Sequence, residues 1–110
     1  MSGALGDTRL VRLAQCFKGL AEPARLRILH TLGGGEMTVS QLIGATGLGQ
    51  ANVSKHLQLL RAAGFVDRRK EGLFVYYSLA DEDVLLLCDI MSRRMERQAE
   101  ADLRAFPKGA

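Results

Sequence analysis

The chain has 110 residues, of which 47% are hydrophobic and 25% are charged, and its formal net charge is +3. This length and composition predict one globular domain with a single core and exclude a disordered chain. The small positive charge permits nucleic-acid binding without establishing it.

The sequence indicates neither a signal peptide nor a membrane span. Asp7 and Arg9 precede the first apolar run, and no stretch approaches the roughly 18 apolar residues that cross a membrane. We therefore expect a cytoplasmic protein with no membrane partner. The domain is expected to cover residues 1–110, with residues 1–7 and 105–110 flexible.

Two amphipathic helices are predicted first. Asp7 or Thr8 is placed to cap a helix that runs to about Leu20, with an apolar face at Leu10, Leu13, Phe17 and Leu20. Pro23 suits the first turn of a second helix, because its missing N–H needs no partner there. The apolar residues of this second helix are Leu26, Ile28, Leu29 and Leu32. Its arginines, Arg25 and Arg27, are expected to point outward, and the helix is expected to end at Gly33–Gly35.

The stretch from Ser40 to Gly64 predicts a helix, a glycine turn and another helix. Thr38 and Gln41 have the spacing of a capping box, which marks a helix start. Thr38 and Ser40 are both expected to act as caps, with contact to a DNA phosphate as the alternative. The turn is Gly47-Leu48-Gly49, and the following helix has its apolar stripe at Val53, Leu57 and Leu60. Two short helices joined by such a turn are typical of the helix-turn-helix motif.

The second helix of this motif has a polar face that suits DNA. Its side chains are of the types that hydrogen-bond base edges and phosphates: Gln50, Asn52, Ser54, Lys55 and Gln58. A face that is only solvated would more often carry Glu–Lys pairs. We interpret residues 50–63 as a DNA recognition helix, in which His56 is expected to be structural.

A hairpin and a last helix follow Gly64, where a left-handed C-cap is expected. Residues 66–71 and 73–79 are two extended runs around Gly72, and we place three cations at the tip of this hairpin: Arg68, Arg69 and Lys70. Contact with the adjacent minor groove is the functional interpretation, and an edge cluster that discourages aggregation is the alternative. Asp81 then caps a helix over about residues 82–104, whose apolar stripe is Val84, Leu87, Cys88, Met91 and Met95. The expected fold is mainly α with a small β-hairpin, a winged helix-turn-helix with five helices.

Five stretches together resemble the ArsR/SmtB family of bacterial repressors. They are LAEPARLRIL at residues 20–29, QANVSKHL at 50–57, LRAAGFV at 60–66, RKEG at 69–72 and VYYSL at 75–79. The resemblance covers roughly residues 13–84. It implies a homodimer formed through the first and last helices. It also implies binding to a palindromic operator in double-stranded DNA and release of that operator when an inducer binds.

The inducer sites of the family are not reproduced. Its thiolate sensors carry a segment that resembles ELCVCDL, whereas residues 36–42 read EMTVSQL, so that hydroxyl residues replace both cysteines. Its zinc sensors carry Asp-x-His on the last helix, whereas Asp89-Ile90-Met91 keeps only the aspartate. Neither site is therefore implied for this chain.

Cys16 and Cys88 are the remaining sensing candidates, because they lie on the two helices that form the dimer interface in the family. One hypothesis is an inducer site for a thiophilic metal or metalloid ion, and an alternative is a redox or persulfide sensor using the same thiols. A plain packing role for both cysteines is the third possibility.

Two other classes of function fit the sequence less well. One is a winged helix that binds proteins and has no operator or inducer, and the polar recognition helix disfavours it. The other is an enzyme, which is not expected because the sequence contains no nucleophile–base pair, phosphate loop or paired catalytic carboxylates.

Overall fold

The structure is a computed structural model that describes residues 6–105. It contains five α-helices and two strands in the order α1 (Asp7–Leu20), α2 (Pro23–Leu32), α3 (Val39–Thr46), α4 (Gln50–Ala62), β1 (Val66–Glu71), β2 (Phe74–Leu79) and α5 (Asp83–Ala105). This confirms the predicted winged helix-turn-helix. The expected flexibility of the chain ends falls mostly on residues 1–5 and 106–110, outside the described part, while Asp7 and Ala105 belong to helices.

The core lies where α2, α3, α4 and β1 meet. The predicted stripe of the recognition helix is confirmed, because Val53, Leu57 and Leu60 are fully buried. They pack with fully buried residues of the neighbouring elements, Ile28, Leu29 and Leu42. Since burial of one such side chain contributes about 1.5 to 3 kcal/mol, this contact fixes which face of α4 remains exposed.

Helices α1 and α5 contribute little to this core. Of their predicted apolar stripes, only Leu20 and Val84 are buried. Phe17 is 48% exposed and Met91 is 50% exposed, although both lie on the apolar faces of their helices. The structure therefore leaves two amphipathic helices with uncovered apolar faces on a single subunit.

Arg25 does not point outward as predicted. Its Nη1 donates to the carbonyl oxygen of Gly19 at 3.0 Å, and its Nε donates to Nδ1 of His56 at 3.3 Å. His56 is buried, as expected for a structural histidine. The guanidinium group can donate hydrogen bonds both to the buried imidazole ring and to a carbonyl oxygen at the end of α1, because it presents several donors in one plane.

The start of α3 confirms one predicted cap and corrects another. Thr38 Oγ1 accepts from the N–H of Gln41 at 3.2 Å, and Gln41 Oε1 accepts from the N–H of Thr38 at 2.9 Å, which is a complete capping box. Ser40 is not a cap, because it lies inside the first turn of α3 and makes no side-chain hydrogen bond within residues 6–105. At α1, the N-cap is Gly6, so neither Asp7 nor Thr8 has the predicted role.

The recognition helix ends as predicted at Gly64, whose φ is +84°. The N–H of Gly64 donates to the carbonyl of Arg61 at 3.0 Å, and that of Phe65 donates to the carbonyl of Leu60 at 2.9 Å. These are the two bonds of a Schellman motif, which needs a left-handed residue at this position. The motif turns the chain directly from α4 into β1.

The predicted position of the wing cations was wrong. Strands β1 and β2 pair antiparallel, with Arg68 opposite Tyr77 and Arg69 opposite Tyr76, so that the cations lie within a strand. The chain reverses only at Gly72 and Leu73, since Gly72 supplies the positive φ of +60° that a two-residue hairpin turn requires. The tip is apolar, and Leu73 is 98% exposed.

Candidate nucleic-acid interface

The exposed face of α4 is the centre of the candidate interface. Gln50, Asn52, Lys55 and Gln58 are exposed, and Ser54 is partly buried. Helix α4 contains no acidic residue, so nothing on this helix opposes the approach of a phosphate backbone. The N-cap of the helix is Gly49, which has no side chain to form a cap hydrogen bond.

The five predicted reading residues do not form a single patch. Residues three or four apart on a helix are neighbours, whereas residues two apart point to different sides. Gln50, Ser54 and Gln58 therefore share the flank of α4 that leads to Arg61. Asn52 lies on the other flank, next to Lys55.

A cavity of about 330 Å³ lies between the end of α4 and the wing. It is lined by Leu57, Gln58, Arg61, Ala62, Arg68 and Tyr77. From the sequence we predict DNA contact for Arg68 but not for Arg61. The sequence does contain an indication of such a contact, because Arg61 follows Gln58 by three residues on the same flank of an acid-free helix.

Arg69 differs from its two cationic neighbours because its charge is already paired. Its Nε donates to Oε2 of Glu36 at 2.9 Å, its Nη1 donates to Oε2 of Glu71 at 2.7 Å, and its guanidinium carbon lies 4.7 Å from the centroid of the Tyr76 ring. The hydrogen bond from Arg69 lowers the pKa of Glu36, and the bonds to both carboxylates raise the pKa of Arg69. This arrangement ties the wing to the segment before α3.

Backbone pairing reinforces that tie. The N–H of Met37 donates to the carbonyl of Tyr77 at 2.9 Å, and the N–H of Tyr77 donates to the carbonyl of Met37 at 2.8 Å. Thr38 follows immediately and uses its hydroxyl group as the cap of α3. The wing and the start of α3 are thereby held together.

The two cysteines are free and lie in different surroundings. Cys16 is exposed on α1, beside Ala62 and Ala63. Cys88 is partly buried on α5, at an apolar cavity of about 300 Å³ whose lining includes Phe17, Leu20 and Met91. In the described part of the chain, no group of three or more His, Cys, Asp or Glu side chains is arranged to hold a metal ion. One subunit by itself therefore does not form a complete thiolate metal site at these cysteines.

Helices α3 and α4 joined by a short turn, followed by a hairpin, define a winged helix-turn-helix DNA-binding domain. Residues 22–68 match the family described as bacterial regulatory protein, arsR family. A biofilm growth-associated repressor of Agrobacterium fabrum is 35% identical over 85 residues, which cover 77% of this chain and 73% of that protein. The chain belongs to the ArsR family of transcriptional regulators.

A second relative and a solved structure agree with this assignment. The transcriptional repressor SmtB homolog of Synechocystis is 40% identical over 76 residues, or 69% of this chain. A homodimeric winged helix-turn-helix DNA-binding domain from Mycobacterium bovis has a TM-score of 0.73 at 34% identity, with 92% of this chain and 95% of that chain covered.

The extent of the matches varies among relatives. The chain spans 58% of the length of the Synechocystis protein and 34% of another matched regulator. Within residues 6–105, no helix is both long enough and apolar enough to cross a lipid bilayer.

Proposed function

We propose that this protein is a homodimeric repressor of the ArsR/SmtB type that binds a palindromic operator in double-stranded DNA. The observation that carries the proposal is the acid-free polar face of α4, which stays exposed beside a basic strand of the wing. A helix with such a face fits the major groove, and the cations of β1 fit the flanking backbone. A repressor of this kind acts in the cytoplasm, where the DNA is.

The uncovered apolar faces of α1 and α5 support a dimer through these helices. Phe17 and Met91 are about half exposed and line one cavity together with Cys88. A second subunit would remove this apolar surface from water, which stabilises association. The Mycobacterium bovis domain with this fold is homodimeric. The two recognition helices of such a dimer would read half-sites about one helical turn apart.

The candidate contacts differ in kind. Gln50, Ser54 and Gln58 are proposed to contact base edges, because they share the flank of α4 that leads to the wing. Asn52 and Lys55 lie towards the other flank and are proposed to contact the opposite side of the groove. The remaining candidates for phosphate or minor-groove contact are Thr38, Ser40, Arg68, Arg69 and Lys70, of which we favour Ser40 over Thr38 because the Thr38 hydroxyl group caps α3. Among the wing cations we favour Arg68 and Lys70, since the charge of Arg69 is offset by Glu36 and Glu71.

A gel shift with the protein's own promoter tests the proposal. We expect specific, salt-sensitive binding by the wild-type protein. Gln58→Ala is expected to weaken this binding about tenfold and to relax discrimination at one base position. Arg97→Gln on α5 is the control for a change of charge outside the proposed nucleic-acid interface. Absence of specific binding by the wild-type protein would falsify the repressor function and favour a protein-interaction module without an operator.

The inducer event is proposed to take place at Cys16 and Cys88. Cys88 carries the greater weight, because its thiol lies at the apolar cavity between α1 and α5, on the proposed dimer surface. A thiophilic metal or metalloid ion would need ligands from both subunits, since residues 6–105 of one subunit bring no three His, Cys, Asp or Glu side chains together. Oxidation or persulfidation of the same thiols needs no further ligands and is the alternative.

Serine variants separate these possibilities. Operator release by arsenite, cadmium or polysulfide is measured with wild-type protein, Cys16→Ser and Cys88→Ser. We expect at least one inducer to release the wild-type complex and the Cys88→Ser complex to resist it. Mass spectrometry and metal analysis of the released protein then identify a bound ion, a disulfide or a persulfide. Equal release from all three proteins would show that the thiols do not sense the inducer.

A further inference from the structure

We propose that Arg61 and Arg68 together form a seat for one phosphate group of the operator backbone, at the junction of the recognition helix and the wing. This inference rests on the proposed DNA-binding function and adds a specific ligand position to it. It also assigns a role to Arg61, which the sequence had not singled out.

The geometry places two arginines from different elements around one cavity. Arg61 lies in the last turn of α4, and Arg68 lies in β1, opposite Tyr77 of β2. Both side chains line the same cavity of about 330 Å³. A phosphate group is much smaller than this volume, so it can enter with part of its sugar.

The charges of the two arginines are free to meet an anion. Within residues 6–105, neither Arg61 nor Arg68 has a side-chain hydrogen bond or an ion pair with an acidic residue. Other arginines near the site are occupied. Arg25 bonds Gly19 and His56, and Arg69 bonds two carboxylates. Among the arginines near the wing, Arg61 and Arg68 are therefore the two without a partner in the described residues, and both line the same cavity.

The walls of the cavity favour a phosphate over other ligands. Gln58, which is proposed to contact a base edge, lines the cavity without adding a charge, and α4 contributes no carboxylate that would repel an anion. Guanidinium groups bind phosphate oxygens in pairs of parallel hydrogen bonds.

A seat built from two elements has a mechanical consequence. One phosphate held by Arg61 and Arg68 at once would fix the wing relative to α4 and so set the register of Gln58 over the bases. The two arginines would then act on the same phosphate instead of making independent contacts. This shared contact distinguishes the seat from a general basic surface.

Salt dependence of operator binding tests the shared contact. Arg61→Gln, Arg68→Gln and the double variant are compared with Arg97→Gln, which removes the same charge from an exposed position on α5. Each single variant is expected to weaken operator binding about tenfold. The salt slope of the double variant is expected to fall by about 0.9 per half-site, the value for one phosphate, and not by twice that amount.

A backbone scan locates the seat. Operators carrying one neutral methylphosphonate per half-site are tested at each phosphate in turn. We expect one position at which the substitution weakens binding of the wild-type protein and of Arg97→Gln, but has no effect on the double variant. Variants that match Arg97→Gln in affinity and slope would overturn the seat. Single variants that respond to two different phosphates would overturn the shared contact.

A free phosphate-bearing ligand is the other source of the same chemistry. Inorganic phosphate is therefore titrated into the DNA-free wild-type and double-variant proteins by calorimetry at constant ionic strength. Submillimolar binding to the wild type only, with no effect of any methylphosphonate, would overturn the assignment to the operator. Failure of the wild type to bind DNA removes the proposed function itself, whereas normal wild-type binding with unaffected variants removes only the seat.

Discussion

Thr38 and Ser40 lie two residues apart at the start of α3, and both carry a hydroxyl group, but their environments differ. Thr38 is committed to the capping box with Gln41. Ser40 is exposed and makes no side-chain hydrogen bond within the described residues, so its hydroxyl group is available to a phosphate. The same functional group therefore has a folding role at one position and a proposed binding role at the other.

Substitution separates these roles. Thr38→Ala is expected to lower the free energy of unfolding by about 1 kcal/mol, because an orphan N–H at the start of α3 loses its acceptor. Ser40→Ala is expected to change stability by less than about 0.5 kcal/mol, as exposed substitutions do, and to weaken operator binding. Urea denaturation and gel shift measure the two quantities. Equal losses of stability in both variants would contradict these assignments.

The ion pair between Glu36 and Arg69 is also open to a residue-level test. The pKa of Glu36 is expected to lie below its ordinary value in the wild-type protein and to rise towards it in Arg69→Met. Because folding lowers this pKa, the contribution of the pair is present at neutral pH and is lost as the pH falls through the lowered value. NMR titration of the Glu36 carboxyl carbon measures the shift. Arg68→Met is the control, and an equal change there would disprove the specific pairing.

At the scale of elements, α4 depends on how it starts and ends. Its N-cap, Gly49, provides no side-chain hydrogen bond, whereas its C-terminus is followed by a Schellman motif at Gly64. The motif sends the chain into β1 across only residues 63–65, and β1 carries Arg68. The conformation of Gly64 therefore determines where the wing lies relative to the recognition helix.

Two glycine-to-alanine substitutions test this point. Gly64→Ala is expected to destabilise the protein by about 1 to 2 kcal/mol, since its φ of +84° is unfavourable for a residue with a Cβ atom. Gly44→Ala, inside α3, is expected to stabilise it by up to about 1 kcal/mol, because a Cβ atom there meets no other atom within 4 Å. Thermal or urea unfolding measures both changes. Stabilisation by Gly64→Ala would show that the motif is not needed.

At the scale of the whole molecule, the uncovered faces of α1 and α5 are the main feature that one subunit leaves unexplained. Leu10, Leu13 and Phe17 of α1 are between 40% and 48% exposed, and Met95 of α5 is 68% exposed. These residues recur at helical spacing on the same side of each helix. A continuous apolar surface of this kind marks an association site.

Charge inserted into this surface is expected to separate the subunits. Phe17→Asp or Met91→Asp should shift the protein from dimer to monomer in analytical ultracentrifugation. Operator affinity should fall by at least about a hundredfold, because a monomer loses the gain from binding two half-sites together. Leu73→Asp, at the exposed tip of the wing, should remain dimeric. A folded Phe17→Asp protein that stays dimeric would place the interface elsewhere.

Local patterns in the sequence were sufficient for most of the fold. The bounds of α1, α2 and α4 follow from apolar periodicity, Pro23 and Gly64, and the capping box of α3 follows from the spacing of Thr38 and Gln41. These features involve residues within a few positions of each other. Their physical causes, namely backbone hydrogen bonds and allowed φ values, act over the same short distance.

The sequence by itself thus determined the helices, the hairpin and the polar face of α4 that is proposed to contact DNA. Only the tertiary structure decided which of the arginines around that helix are free. Arg25 is turned inward to His56, 31 residues away, and Arg69 is paired with Glu36, 33 residues away. In the described part of the chain, residues 6–105, Arg61 and Arg68 remain unpaired around one cavity. The partner of a cation depends on which chain segments the core brings together. A pattern of neighbouring residues does not reveal contacts between segments that are far apart in sequence.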